Sequence, residues 1–83
     1  AVTFRQLQHF LVLSQELHFG RAAQRLNISQ PPLSASLKQL EETLGFQLMD
    51  RSNRSVRLTA AGAVFSEHAA RILGQLDAAR ALA

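Results

Sequence analysis

Phe19-Gly20-Arg21-Ala22-Ala23-Gln24-Arg25-Leu26-Asn27-Ile28-Ser29-Gln30-Pro31-Pro32, continuing through Leu33 to Gly45, predicts a short helix, a tight turn and a second helix. In the second helix Leu33, Leu37, Leu40 and Leu44 recur at i, i+4, i+7 and i+11, one stripe at ~100° per residue. The opposite side carries Pro31, Ala35, Lys38 and Glu42, flanked by Ser34 and Gln39. That outward face is small, polar and partly basic. Ser29 is placed to cap this helix, and Pro31 and Pro32 fall in its first turn, where the missing N–H groups would be unpaired anyway. Gly45 is a good C-cap. Upstream, residues 20 to 26 form the shorter helix, with Gly20 as its N-cap and Ala22, Ala23 and Leu26 facing inward. Small residues there let another backbone approach. Ile28, apolar in the turn Asn27-Ile28-Ser29, pins the two helices at a fixed angle.

On the N-terminal side, residues 3 to 16 read as a helix capped by Thr3. Phe4, Leu7, Phe10, Leu11 and Ser14 share its core face, while Arg5, Gln6, Gln8 and His9 point away. After Gly45 the period changes to alternation at Phe46, Leu48, Val56 and Leu58, which predicts two short strands joined by a polar, basic link over residues 50 to 55. Thr59 then caps a long last helix, Ala60 to Ala83, ~36 Å at ~1.5 Å per residue. Ala61, Phe65, Ala69, Ile72, Leu73, Leu76, Ala79 and Ala83 line one side of it. A core this small cannot cover so long a stripe. Its distal half, with Phe65, Ala69, Ile72, Leu73, Leu76 and Ala79 as the pairing residues, is expected to meet the same helix of a second chain.

Eighty-three residues allow one small core. The absence of cysteine removes disulfides and thiolate metal sites. No run approaches the ~20 apolar residues of a membrane span. No charged-then-apolar start marks a secretory signal either, so a cytoplasmic setting is expected. Nine Lys and Arg against six Asp and Glu give a net charge of +3. Eight of the nine bases are arginine, the residue suited to phosphate and guanine. His9, His18 and His68 are scattered, and Glu41 and Glu42 point ~100° apart on a helix. No nucleophile has a neighbouring base, and no glycine-rich phosphate loop is present. Neither catalysis, a metal nor a cofactor is expected.

The small-residue helix, apolar turn and leucine-striped helix together fit a helix-turn-helix whose second helix enters a major groove by its N-terminal half. Ser29 and the first-turn amides can meet phosphate. Gln30 can read adenine, Ser34 several bases, and Pro32 or Ala35 a thymine methyl. Arg21, Arg25 and Lys38 would set register on the phosphates, although Arg25 can equally be a solvated helix residue or pair with Glu41 or Glu42. In the basic link, Arg51, Asn53 and Arg54 join the candidate DNA-binding residues Ser29, Gln30, Pro31, Pro32, Ser34, Ala35, Lys38 and Arg21. Arg54, nearest the tip, suits a narrow minor groove. Arg57, near the strand end, flanks the site. The bland alternatives are a helical hairpin with a solvated face, or an interaction module that pairs through its long helix without preferring any duplex.

These residues resemble the N-terminal DNA-binding domain of LysR-type transcriptional regulators. Phe4 to Phe10 resembles the family's opening, and Phe19 to Leu26 its second helix. Ser29-Gln30-Pro31-Pro32-Leu33-Ser34 with Leu40 to Gly45 is the most specific portion. Arg51, Arg54 and Val56 to Gly62 complete the match. The resemblance implies a mainly α, winged helix-turn-helix domain over 1–59, three helices plus a two-stranded wing, and a linker helix over 60–83. It further implies a bacterial homodimer paired through antiparallel linker helices, an interrupted inverted repeat in double-stranded DNA, and tetramers in full-length proteins. By position, Gln30, Pro31, Pro32 and Ser34 match the family's DNA-facing residues and Arg54 its wing arginine. The family's effector-binding domain has no counterpart here, so the chain reads as a piece of a longer regulator; Ala1 in place of an initiator Met agrees with trimming or processing. Ala35 stands where many members carry Arg, which predicts a different operator preference. Met49, where an aromatic or Leu is usual, is expected to alter packing only.

Overall fold

The computed structural model describes residues 1–50 and 55–82. Its first helix, α1 (Phe4–Glu16), opens on a reciprocal cap. Thr3 Oγ1 accepts the Gln6 N–H at 3.2 Å, and Gln6 Oε1 accepts the Thr3 N–H at 3.0 Å. Leu7 and Phe10 are buried as expected, but Leu13 is buried beside them, Phe4 is 50% exposed and Leu11 only half-buried. His9, read as outward-facing, is also buried. The reason is geometric: α1 packs against three other helices, so a wider arc than one stripe is covered.

Burial, with the nearby Arg5 charge second, holds the His9 imidazole below its ordinary value of 6.5. Its Nδ1 has no hydrogen-bond partner among the described residues. Folding therefore favours the neutral ring, and the unfolded chain binds the proton more readily. Stability from this group is complete above pH ~6.5 and is lost as pH falls through the lower folded value. Thermal melts from pH 8 to 5 are expected to show a decline that is shallower in His9→Gln.

Leu17 ends α1 in the left-handed region, φ 51°. The next helix, α2 (Phe19–Leu26), starts one residue earlier than the sequence reading. Its cap is His18, not Gly20: His18 Nδ1 accepts the Arg21 N–H at 3.0 Å. Gly20 lies in the first turn, where a Cβ would come within 3.0 Å of the His18 ring. The glycine makes room for the imidazole that caps. Ala22 and Ala23 are buried, Asn27 turns the chain at φ 61°, and Ile28 packs half-buried on the core. In α3 (Gln30–Leu44) the residues Leu33, Leu37 and Leu40 are at most 1% exposed, and Gly45 caps at φ 83°. α2, the turn and α3 are the helix-turn-helix.

Strands β1 (Met49–Asp50) and β2 (Arg57–Leu58) pair antiparallel, Met49 with Leu58 and Asp50 with Arg57. They are shorter than the alternation predicted: Phe46 and Val56 lie outside the ladder, and Phe46 is 44% exposed. Met49 is buried in the core. The last helix, α4 (Ala60–Arg80), packs on α1 and β2, with Phe65 and Phe10 ring centroids 5.7 Å apart. Thr59 caps it: Oγ1 accepts the Gly62 N–H at 2.9 Å and donates to the Gln47 carbonyl at 2.7 Å. Thr59→Ala removes both bonds and is expected to cost about 1–2 kcal/mol in chemical denaturation. Thr59→Ser should restore most of it.

Candidate nucleic-acid interface

The leucine stripe seats α3 in the core by one side only, and the other side is bare. Gln30, Pro31, Pro32, Ser34, Ala35, Lys38, Gln39 and Glu42 are all exposed. Ser29 is exposed too, and its hydroxyl makes no cap bond. Because Pro31 and Pro32 carry no N–H, only Gln30 offers a first-turn amide. The phosphate-binding capacity expected of the first turn thus narrows to the Gln30 amide and the Ser29 hydroxyl. A shallow concavity between the starts of α2 and α3 is lined by His18, Gly20, Arg21, Gln24, Ser29 and Gln30. The face offers donors, acceptors and methyl or methylene surface within one helix length, the mixture that base edges require.

The arginines of α2 are held back. Arg21 Nε donates to Glu16 Oε1 at 3.3 Å and its Nη2 to the Glu16 carbonyl at 3.3 Å. Arg25 Nη1 donates to Gln15 Oε1 at 2.8 Å and Glu16 Oε2 at 3.1 Å. Arg25 therefore pairs with the end of α1, not with Glu41 or Glu42, because α2 turns back beside that end. Both side chains remain about half exposed (58% and 46%). Lys38 and Arg57 are exposed. Arg51, Asn53 and Arg54 lie outside the described residues.

Glu41 has a role the sequence reading missed. Its Oε2 accepts the Leu48 N–H at 2.7 Å and the Met49 N–H at 3.2 Å, which ties α3 to the hairpin root. A signal was present: Glu41 is four residues after Leu37 and three before Leu44, so it stands at the edge of the inward stripe. A carboxylate there needs a partner.

On α4 the pairing residues divide. Ala69 is fully buried within the chain, and Phe65, Leu73 and Leu76 are half-buried. Ile72 (46%) and Ala79 are exposed, as are Ala61 and Val64 (57%) on the same flank. Ala61 and Val64 line an apolar groove with Phe46, Ala60, Phe65 and His68.

A family model described as bacterial regulatory helix-turn-helix protein, lysR family, matches residues 4–63. The chain belongs to the LysR family. This LysR-family chain is 51% identical over 82 residues to the HTH-type transcriptional regulator YnfL of Escherichia coli (strain K12), spanning 99% of the chain and 28% of YnfL. It is 53% identical over 72 residues to AlsR of Bacillus subtilis (strain 168), spanning 87% of the chain and 24% of AlsR. It thus spans about a quarter of the length of these curated relatives. Among solved structures it resembles the BenM DNA-binding domain in complex with catB site 1 DNA, at TM-score 0.94 and 37% identity, covering 98% of this chain and 90% of that one. It also resembles the CbnR DNA-binding domain in complex with DNA, at TM-score 0.88 and 41% identity, covering 98% of each. The LysR-family fold is the winged helix-turn-helix expected from the sequence. Among the described residues no helix is long and apolar enough to cross a membrane.

Proposed function

We propose that this chain is the DNA-reading domain of a LysR-type transcriptional regulator, binding duplex DNA as a homodimer. One observation carries the reading: the N-terminal half of α3 is bare of protein neighbours while its leucine side is fully buried. Gln30, Pro32, Ser34 and Ala35 read the major groove, and Ser29, Lys38 and Arg21 set register on phosphates. Arg51, Asn53 and Arg54 bring the wing to the adjacent minor groove. Residues 1–59 form the reading unit, and α4 pairs two copies on an interrupted inverted repeat. The flank of α4 bearing Val64 and Ile72 supports the pairing, since these side chains are apolar and exposed in one copy. The regulator's effector response and tetrameric assembly belong to regions beyond this chain. The BenM and CbnR domains whose solved complexes contain DNA support the reading by likeness.

Binding dominated by phosphate contacts must weaken steeply with salt. Anisotropy titrations between 50 and 200 mM salt are expected to show an affinity loss of about 10³-fold for a dimer making several phosphate contacts. A flat profile would remove the proposal. Arg54→Ala is expected to cost about 1–3 kcal/mol of binding if the wing reads its groove. Selection of bound duplexes from a random pool supplies half-site sequence and separation together.

A further inference from the structure

Gln47, Leu48 and Met49 are gripped from two sides. From α3, the Glu41 carboxylate takes the N–H groups of Leu48 and Met49 at 2.7 and 3.2 Å. From the start of α4, Thr59 gives its N–H to the Leu48 carbonyl at 3.0 Å and its hydroxyl to the Gln47 carbonyl at 2.7 Å. Leu48 thus hands its N–H to one helix and its carbonyl to the other, with its own side chain fully buried. Gly62 is pressed against the same carbonyl: a Cβ there would stand 2.0 Å from the Leu48 oxygen. Ordinary contact begins at 3.4 Å, so any side chain at position 62 must push α4 and the strap apart. Gly62 is itself buried, and the atom it meets is backbone, which cannot swing aside.

We propose that this strap is a spacing gauge: together with α1, which packs on both helices, Glu41 and Gly62 hold the angle between α3 and α4, and with it the separation of the two half-sites that a dimer reads. The proposal rests on the dimeric DNA reading above. In such a dimer α4 is the lever between the pairing seam and the reading helix. Twenty-one residues make a lever of ~30 Å at ~1.5 Å per residue. A tilt of ~6° over that length moves the far end by ~3 Å, about one base-pair rise. Looseness of an ångström or two at the strap is therefore enough to blur the match between protein and operator. Two charge-assisted bonds from Glu41 suit the task, because a carboxylate oxygen holds two adjacent amides at once and is stronger than a neutral acceptor. Glu41 and Gly62 are positioning residues here; they touch no base.

The test uses the 83-residue chain, with half-sites taken from duplex selection. Binding is measured on duplexes carrying two half-sites at the selected separation, at separations one base pair shorter and longer, and on a single half-site. Wild type is expected to prefer one separation by about tenfold or more. Glu41→Ala should reduce that preference below about threefold while single half-site affinity stays within about twofold. Glu41→Gln, whose amide oxygen still accepts both N–H groups, should keep most of the preference. Gly62→Ala should shift or flatten the optimum; if its melting curve shows no cooperative fold, Glu41→Ala decides alone. The gauge is overturned if Glu41→Ala weakens every duplex by one common factor and leaves the spacing preference intact. Wild type that binds every separation alike also overturns the gauge, whereas wild type that binds the half-sites no better than a scrambled duplex would instead remove the underlying DNA reading.

Discussion

Leu37→Ala is expected to destabilise the domain by about 2–5 kcal/mol, read as a shift of the denaturation midpoint at unchanged slope. Leu37 is 1% exposed and packs in one cluster with Phe10, Leu13, Ala23, Leu33, Leu40 and Leu48. Alanine keeps the helix propensity, so the loss comes from apolar area and from the cavity left behind. An 83-residue protein at ~0.05–0.15 kcal/mol per residue has only about 4–12 kcal/mol in hand. One leucine of the stripe is thus a large fraction of the total. Leu82→Ala is the control: Leu82 is 89% exposed, and its truncation should change stability by less than about 0.5 kcal/mol. If the two variants melted alike, the leucine stripe would not be the side that seats α3.

Ile72→Glu is expected to yield monomers by sedimentation and to weaken binding to a two-half-site duplex by about 10²-fold or more. The change should leave single half-site affinity nearly unaltered. Ile72 is 46% exposed in one copy and shares its flank with Val64 at 57%, whereas Ala69 is already covered inside the chain. A charge at position 72 therefore meets water in the monomer and a low-dielectric seam in the proposed dimer, where an unpaired carboxylate is costly. A glutamate at position 76 should also break the dimer, but Leu76 is half-buried in its own chain, so that variant is expected to lose fold stability as well. Ile72→Glu is the cleaner probe. Dimers that persist in Ile72→Glu would move the pairing surface away from this flank of α4.

Much of the architecture is legible in short-range patterns. The recurrence Leu33, Leu37, Leu40 and Leu44 places the inner side of α3, and those of its residues the core covers completely are the first three. Thr3, Ser29, Gly45 and Thr59 each stand at the cap positions expected of them, because caps depend on residues within one turn. His18 escaped the same logic: histidine is not a usual cap, and its fitness here depends on the space left by Gly20.

The candidate site was legible as a surface and illegible as a linked body. Periodicity showed which residues of α3 face outward, since that follows from the turn angle of a helix alone. It did not show that Glu16 would restrain both Arg21 and Arg25. Nor did it show that α1 would have enough neighbours to bury His9.

The amino-acid order by itself determined the helices, the caps at Thr3, Ser29, Gly45 and Thr59, and the exposed side of α3, because each depends on contacts within a few residues along the chain. Only the tertiary structure decided how Glu41, Leu48, Thr59 and Gly62 lock α3 to α4. Those four come from segments up to 21 residues apart, and their spacing in the chain carries no trace of a 2.7 Å hydrogen bond or a glycine pressed on a carbonyl. Such contacts exist only after the core has brought the two helices to the same place.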